Sequence, residues 1–302
     1  MIPRPGGTGR PSGLYRPGPS HLPPVPMPEL PEVETVCRGL ASRLEGRRLT
    51  RLELRRPNMR FPFPAGLAGL VEGRRVEAIR RRAKYILMML DDGGVLIAHL
   101  GMSGRMTIGP AAGIVLEPHD HVVFETDDGT AVRFNDARRF GFLDYCRAED
   151  LPGHRLFADI GPEPLGNEFS GPVLAAKLKG KLTPIKAALL DQKIVAGLGN
   201  IYVSESLYWA GLAPTRMAGT VQGETADRLV AAIRQVLLNA IAAGGSSLRD
   251  YVQATGELGY FQHQWAVYGK EGAPCPDCTC KIGIERIVQS NRSTFYCAQR
   301  QH

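Results

Sequence analysis

The chain has 302 residues, 43% of them hydrophobic and 22% charged, and a formal net charge of +7. Its length leaves room for about two domains. No apolar run approaches the roughly 18 residues of a membrane span, which argues against a helical membrane protein, and the positive balance suits a polyanionic partner without requiring one.

Residues 1–26 hold eight prolines and five glycines and show no periodic apolar face. Such a segment cannot bury enough surface to fold, so it is expected to be disordered. It has neither the apolar stretch of a secretory signal nor the serine content of a transit peptide. From Pro31 the pattern changes: Val33, Val36, Cys37, Leu40 and Leu44 recur at helical spacing. Pro31 stands in the first turn, Glu32 and Glu34 lie by the positive end of the dipole, and Gly46 ends the helix.

A β-rich region follows. The stretches 75–90 (RVEAIRRRAKYILMML) and 94–104 (GVLIAHLGMSG) flank the turn DDGG. A second alternating pair, 121–136 (HVVFETDDGTAVRFND), surrounds another Asp-Gly, and 139–146 (RFGFLDYC) continues it. Strands joined by hairpins without crossover helices predict an antiparallel sandwich or barrel-like sheet. The Gly/Pro-rich segment 158–171 reads as a linker. Beyond it the period is helical over 171–180, 184–192, 199–211 and 224–245. The expected organisation is an α+β multidomain chain: an extension at 1–27, a β-sandwich at 28–157, the linker at 158–171, a helical unit at 172–268 and a cysteine-containing unit at 269–302.

Cys37 and Cys146 lie singly, whereas Cys275, Cys278, Cys280 and Cys297 crowd the C-terminus. That pattern predicts a metal site in a reducing compartment. A structural zinc site usually offers two Cys-x-x-Cys pairs to one tetrahedral ion. Here the first pair is intact (CPDC), but Arg300 stands where the second would end. Cys280 is the expected fourth thiolate and His302 the alternative. A unit this small needs such a staple. Between the ligands, IGIERIVQSNRSTFYC reads as a hairpin with Asn291 and Arg292 at its tip, where an arginine is either solvated or presented to a polyanion.

Arg80, Arg81, Arg82 and Lys84 ahead of a strand form either a solvated edge or a phosphate-binding run, and Lys84 near a reaction centre could act as an acid. His119 and His121 share one face of a strand. With no further ligand near, a structural or phosphate-contacting pair is expected rather than a metal pair. Met102 on a turn and Phe140 beside Arg138 and Arg139 default to core when taken singly. Together they have the make-up of the apolar, arginine-flanked wedge that duplex-opening proteins insert between bases. Gly197 and Gly199 precede Asn200 at a helix start, where small residues let backbone N–H groups approach a phosphate. Lys179, Lys181 and Lys186 upstream complete a clamp.

Taken together, MPELPEVETV, RRAKY, HLGMSG, HDHV, DARRFG, GPEPL, GLGNIYVSE, GYFQHQWAVYG and RSTFYC resemble the bacterial formamidopyrimidine-DNA glycosylase family, in family order from residue 27 to 297. The resemblance implies an N-terminal antiparallel β-sandwich with an N-terminal helix, a helix–two-turn–helix domain, and a C-terminal zinc-finger hairpin holding one structural zinc. It implies a monomeric base-excision-repair enzyme of the bacterial cytoplasm. Its partner would be damaged double-stranded DNA, with no membrane, and it would excise oxidised purines and then cleave the strand.

Carried over residue by residue, the resemblance makes Pro28 the nucleophile once Met27 is removed, and Glu29 the neighbouring acid/base. Lys84 becomes the lysine that contacts phosphate and assists β-elimination, and Arg292 the finger arginine of δ-elimination. Met102, Arg138 and Phe140 become the trio that fills the gap left by a flipped base. His119, Arg138, Lys181 and Asn200 become backbone contacts, and 248–264 the loop over the flipped base. That loop and PELPEV point to the oxidised-purine branch. If residues 1–27 stay attached, the Pro28 nitrogen is a tertiary amide whose lone pair is delocalised. Three readings follow: an active enzyme starting from Met27, a lesion-binding protein with a blocked nucleophile, and an endonuclease VIII-like enzyme for oxidised pyrimidines.

Overall fold

The computed structural model of the protein describes residues 27–246 and 261–302. The Pro/Gly-rich tract and most of the 248–264 segment lie outside the described residues. The first helix, α1 (Leu30–Leu44), begins with Pro31 in its first turn. The Glu32 carboxylate reaches back to accept the Glu29 N–H at 2.9 Å, half of a capping box. Val33, Val36, Leu40 and Leu44 then pack into the first core.

In chain order come β1 (Leu49–Leu54), a short α2 (Leu67–Val71), β2 (Val76–Arg82), β3 (Tyr85–Leu90), β4 (Gly94–His99), β5 (Arg105–Pro110), β6 (Asp120–Thr126), β7 (Thr130–Asn135) and β8 (Phe142–Arg147). They make two four-stranded antiparallel sheets, ordered β1-β6-β7-β5 and β2-β3-β4-β8. Leu52, Ile86, Met88, Leu96, Phe124 and Phe134 belong to the buried cluster that includes the α1 residues. The second sheet is covered on its other face as well, with Phe157 against Leu87, Val95 and Ile97. Burial on both faces explains why β3 and β4 read as unbroken apolar runs.

Two sequence expectations need correction. The stretch 139–146 does not continue the β6–β7 hairpin: β8 crosses to the other sheet and pairs with β4. The stretch 75–90 is not one strand, because β2 and β3 are joined by a two-residue turn at Ala83 and Lys84 with Ala83 at φ 53°. That places Lys84 at a hairpin tip.

The helices are α3 (Gly171–Leu178), α4 (Ile185–Leu190), α5 (Asn200–Trp209) and α6 (Glu224–Ala242), around a second core. All of α5 from Ile201 to Tyr208 is buried. A helix with no solvent face must sit inside its domain, and α5 packs against α4, α6 and the C-terminal hairpin. That hairpin, β9 (Glu285–Gln289) and β10 (Arg292–Tyr296), turns at Ser290 and Asn291, with φ of 49° and 59°. Arg292 is therefore the first residue of β10 and not the tip itself. Among the described residues no helix is long and apolar enough to cross a membrane.

Glu205, buried within α5, accepts the backbone N–H groups of Ala266 (2.7 Å), Val267 (3.0 Å) and Tyr268 (2.8 Å). One carboxylate thus fixes the segment leading into the hairpin unit. Glu205→Gln turns an amide NH2 toward those donors, and thermal or urea unfolding is expected to show a loss of about 2–3 kcal/mol.

Candidate active site

Pro28 and Glu29 are buried at the start of α1. The Glu29 carboxylate accepts the N–H of Ile201 at 2.9 Å and of Tyr202 at 3.3 Å, in the first turn of α5. The Leu30 N–H donates to the Gly197 carbonyl at 3.1 Å. Gly197 and Gly199 are required by this approach. A methyl group on Gly199 would overlap the Glu29 carboxyl group, and one on Gly197 would overlap Leu30. The helix start expected to receive a phosphate is occupied by the protein's own carboxylate. Burial raises the Glu29 pKa, against the opposing pull of Lys84 and of the backbone N–H groups of Ile201, Tyr202 and Gly199.

Glu32 lies beneath it. It accepts the Tyr202 hydroxyl at 2.5 Å and the Ser246 N–H at 2.8 Å, besides the Glu29 N–H. Burial pushes its pKa up to about 7. The sequence signal for this pair is the Glu-x-x-Glu spacing ahead of an apolar helix, which dipole reasoning alone takes only as favourable charge.

Lys84 is half-buried on its hairpin tip. Burial lowers its pKa, Glu29 counteracts and Arg292 reinforces, so Lys84 lies within electrostatic reach of both. The tip is held from behind. Glu163 accepts the Ala83 N–H (2.6 Å), Arg82 (2.8 Å) and Arg81 (2.7 Å), and Arg81 also donates to Glu34 at 3.0 Å. Arg81 and Arg82 are thus internal braces and neither a solvated edge nor a phosphate clamp. Glu163 comes from the segment read as a linker, and the Gly/Pro content of that segment hid it.

Lys186 also departs from expectation. It is fully buried, and its ammonium donates to the Ser293 carbonyl (3.0 Å) and the Thr294 hydroxyl (2.6 Å) of β10. Burial, with Arg292 adding to it, lowers its pKa to about 7. Asn200 joins it, donating to the Ser293 carbonyl at 3.0 Å and to the Tyr268 hydroxyl at 3.2 Å. These two side chains seat the hairpin that presents Arg292. Both amide hydrogens of Asn200 are engaged inside the protein, so contact with a phosphate requires exchanging one of them.

Met102, on the turn after β4, is half-buried, and Phe140 is 40% exposed with the Arg138 guanidinium 5.1 Å from its ring centre. His119 is exposed in a left-handed turn before β6 (φ 74°), while His121 is buried and bonded to the Asp136 carbonyl at 2.9 Å. The two histidines therefore do not share a strand face. Lys181 is half-buried beside exposed Leu182.

The sulfurs of Cys275, Cys278, Cys280 and Cys297 all lie within 4.8 Å of one another. Tetrahedral thiolate ligation of a zinc-sized ion sets sulfurs about 3.8 Å apart, and Cys297 stands 3.6 Å from both Cys278 and Cys280. The four therefore fit one metal ion. His302 is drawn elsewhere, its backbone paired with Gly211 and Ala213.

Two family models match: the formamidopyrimidine-DNA glycosylase N-terminal domain over residues 27–143 and the formamidopyrimidine-DNA glycosylase H2TH domain over 160–252. A curated formamidopyrimidine-DNA glycosylase of Acidiphilium cryptum is 57% identical over 278 residues, covering 91% of this chain and all of the relative. The chain belongs to the formamidopyrimidine-DNA glycosylase family. The MutM (Fpg) protein of Thermus thermophilus superposes with a TM-score of 0.81 at 40% identity, over 91% of this chain and 98% of that one. A Lactococcus lactis Fpg in complex with N7-benzyl-Fapy-dG DNA gives 0.83 at 33% identity, over 91% and 100%.

Three of the four clustered sulfurs come from the 275–280 loop and one from Cys297. Arg300, in place of a further cysteine, pairs with Asp277 at 2.6 Å and lies 4.7 Å from the Tyr208 ring centre.

The Glu32 shift has a testable sign. The folded carboxyl keeps its proton to about 7 and an ordinary one only to 4.5. Between those values the native state binds more protons than the unfolded state, and stability falls as pH rises. In thermal melts, the wild-type advantage over Glu32→Gln is expected to shrink from pH 4.5 to about 7 and then level off.

Proposed function

We propose that the protein is a base-excision-repair DNA glycosylase with lyase activity, which removes oxidised purines such as 8-oxoguanine and formamidopyrimidines from duplex DNA through N-terminal Pro28. The observation that carries this reading is the buried Glu29 carboxyl, held on the first turn of α5 beside Pro28 and within electrostatic reach of Lys84.

A secondary amine at Pro28 attacks the sugar C1′, forming a C–N bond as the glycosidic bond breaks. The amine loses its proton and the C1′–O4′ bond then opens, giving an iminium that has no N–H to lose and whose fixed positive charge acts as an electron sink. Loss of the 2′ proton then expels the 3′ phosphate, and a second elimination expels the 5′ phosphate. Glu29, kept protonated to higher pH by burial, is suited to protonate the opening sugar oxygen. Lys84, with its pKa lowered by burial, is suited to exchange a proton near the 2′ carbon and to neutralise phosphate. Arg292 approaches the same phosphates from the seated hairpin.

The target base must leave the stack, at a cost smaller for damaged pairs. Met102, Arg138 and Phe140 fill the gap, and His119, Arg138, Lys181 and Asn200 hold the backbone. These phosphate contacts should weaken steeply with salt. A Lactococcus lactis Fpg mutant bound to Fapy-dG containing DNA, similar in fold to this chain, supports the oxidised-purine assignment. We assign the ion to zinc, held by Cys275, Cys278, Cys280 and Cys297, where it crosslinks the finger and takes no chemical part. The site of action is the bacterial cytoplasm, where the chromosome lies.

This chemistry needs a free amine, and in the full chain the Pro28 nitrogen is an amide. The N-terminal family model begins at Met27, which supports a working polypeptide that starts there and loses Met27. Borohydride trapping on 8-oxoguanine duplex, with mass spectrometry of the protein terminus, tests this. Protein beginning at Pro28 is expected to form a covalent adduct through that residue, and protein retaining residues 1–27 to bind without one. No adduct from the Met27-started protein would leave only lesion binding. Relative excision of oxidised pyrimidines separates the endonuclease VIII-like alternative.

Elemental analysis is expected to give one zinc per chain. Cys280→Ser should lower retention under chelation, whereas His302→Ala should leave it unchanged.

A further inference from the structure

The gap-filling trio Met102, Arg138 and Phe140 comes from two turns and the backbone contact His119 from a third, and all three turns are tied to Asp136, which is fully buried. Its carboxylate accepts the Ser103 hydroxyl at 2.6 Å, next to Met102. The same carboxylate accepts the Arg138 N–H at 3.3 Å and the Gly141 N–H at 2.7 Å, bracketing the turn that carries Phe140. The Arg138 N–H is shared with the Ser103 hydroxyl at 3.2 Å, so the first two turns are joined directly.

The backbone of Asp136 completes the set. Its N–H donates to the His119 carbonyl at 3.0 Å, and its carbonyl accepts the Arg139 N–H at 3.2 Å. His119 and Arg139 both have positive φ, 74° and 56°. Such conformations are unfavourable for residues with a Cβ and persist only where surrounding bonds impose them. The Met102 and Phe140 turns also touch backbone to backbone, since a methyl group on Gly101 (φ 67°) would overlap Phe140 and Gly141.

We propose that Asp136 is the positioning residue of the duplex-opening edge, holding Met102, His119, Arg138 and Phe140 as one preorganised unit. It touches no substrate. Its contribution is that the wedge does not have to be ordered while bases are being unstacked. The inference rests on the wedge reading under the proposed function, and the experiment separates the two.

The trapping rate is measured for an abasic site in a duplex and in a single strand, where no orphaned base has to be propped. A 2-aminopurine opposite the site reports wedge insertion in the duplex by fluorescence. Asp136→Asn, nearly isosteric, turns an NH2 toward N–H donors and is expected to lower the duplex-to-single-strand rate ratio by roughly ten- to hundredfold. It should also blunt the fluorescence change. Ser103→Ala, which removes one arm, should lower the ratio less. Equal losses on both substrates, or an unchanged ratio, would overturn the inference. Should Asp136→Asn fail to fold, Ser103→Ala decides alone by the same criterion. If Met102→Ala and Phe140→Ala lower the ratio while Asp136→Asn and Ser103→Ala do not, only the positioning role fails. If Met102→Ala and Phe140→Ala leave it unchanged, the wedge reading fails and takes the inference with it.

Discussion

The Glu29 carboxylate reaches across 172 residues of sequence to cap α5, and this contact decides where almost everything else can stand. An acid taken from water is tolerable only if its oxygens are paired, and a helix start needs acceptors for its first N–H groups. Each group solves the other's problem. The cost appears in the sequence as Gly197 and Gly199, since nothing larger allows the approach. Because Pro28 precedes Glu29, the same contact also fixes Pro28 at the head of the helix.

From there α5 works as the common anchor of the molecule. Its first turn holds Glu29, Asn200 at its head and Lys186 on α4 hold the Ser293 carbonyl, and Glu205 holds the entry to the finger. The Tyr208 hydroxyl at its far end meets the Cys275 sulfur at 3.3 Å. A helix with so many polar obligations and no solvent face is poorly suited to change. Lys84 stands within electrostatic reach of both Glu29 and Arg292, although the three arrive from a hairpin tip, a helix cap and the C-terminal hairpin.

Much of this was readable from residues alone, where one local rule governed. The four longer helical stretches showed their spacing, the Asp-Gly turns marked two hairpins, and the cysteine cluster marked four sulfurs that the fold brings together. What was not readable depended on partners distant in sequence. The Ala83–Lys84 turn is imposed by Glu163 and lacks the usual turn residues, so β2 and β3 merged into one run. The crossing of β8 to the edge of the other sheet, beside β4, left no trace in its alternation. Lys186 was read as part of a phosphate clamp because nothing nearby announced the hairpin that buries it, and α2 is too short to show a period. The glycines of GLGN were correctly flagged as permitting close approach, but the carboxylate that approaches comes from the other end of the fold.

The last six residues carry a consequence for how the protein is built. Gln301 accepts the Cys297 N–H and donates to the Leu212 carbonyl, both at 2.9 Å, while His302 pairs with Gly211 and Ala213. With Arg300 on Asp277 and Tyr208, the tail has protein contacts of its own. Removing the Gln301 side chain would therefore loosen the hold of this segment on Leu212 even with all four cysteine sulfurs in place.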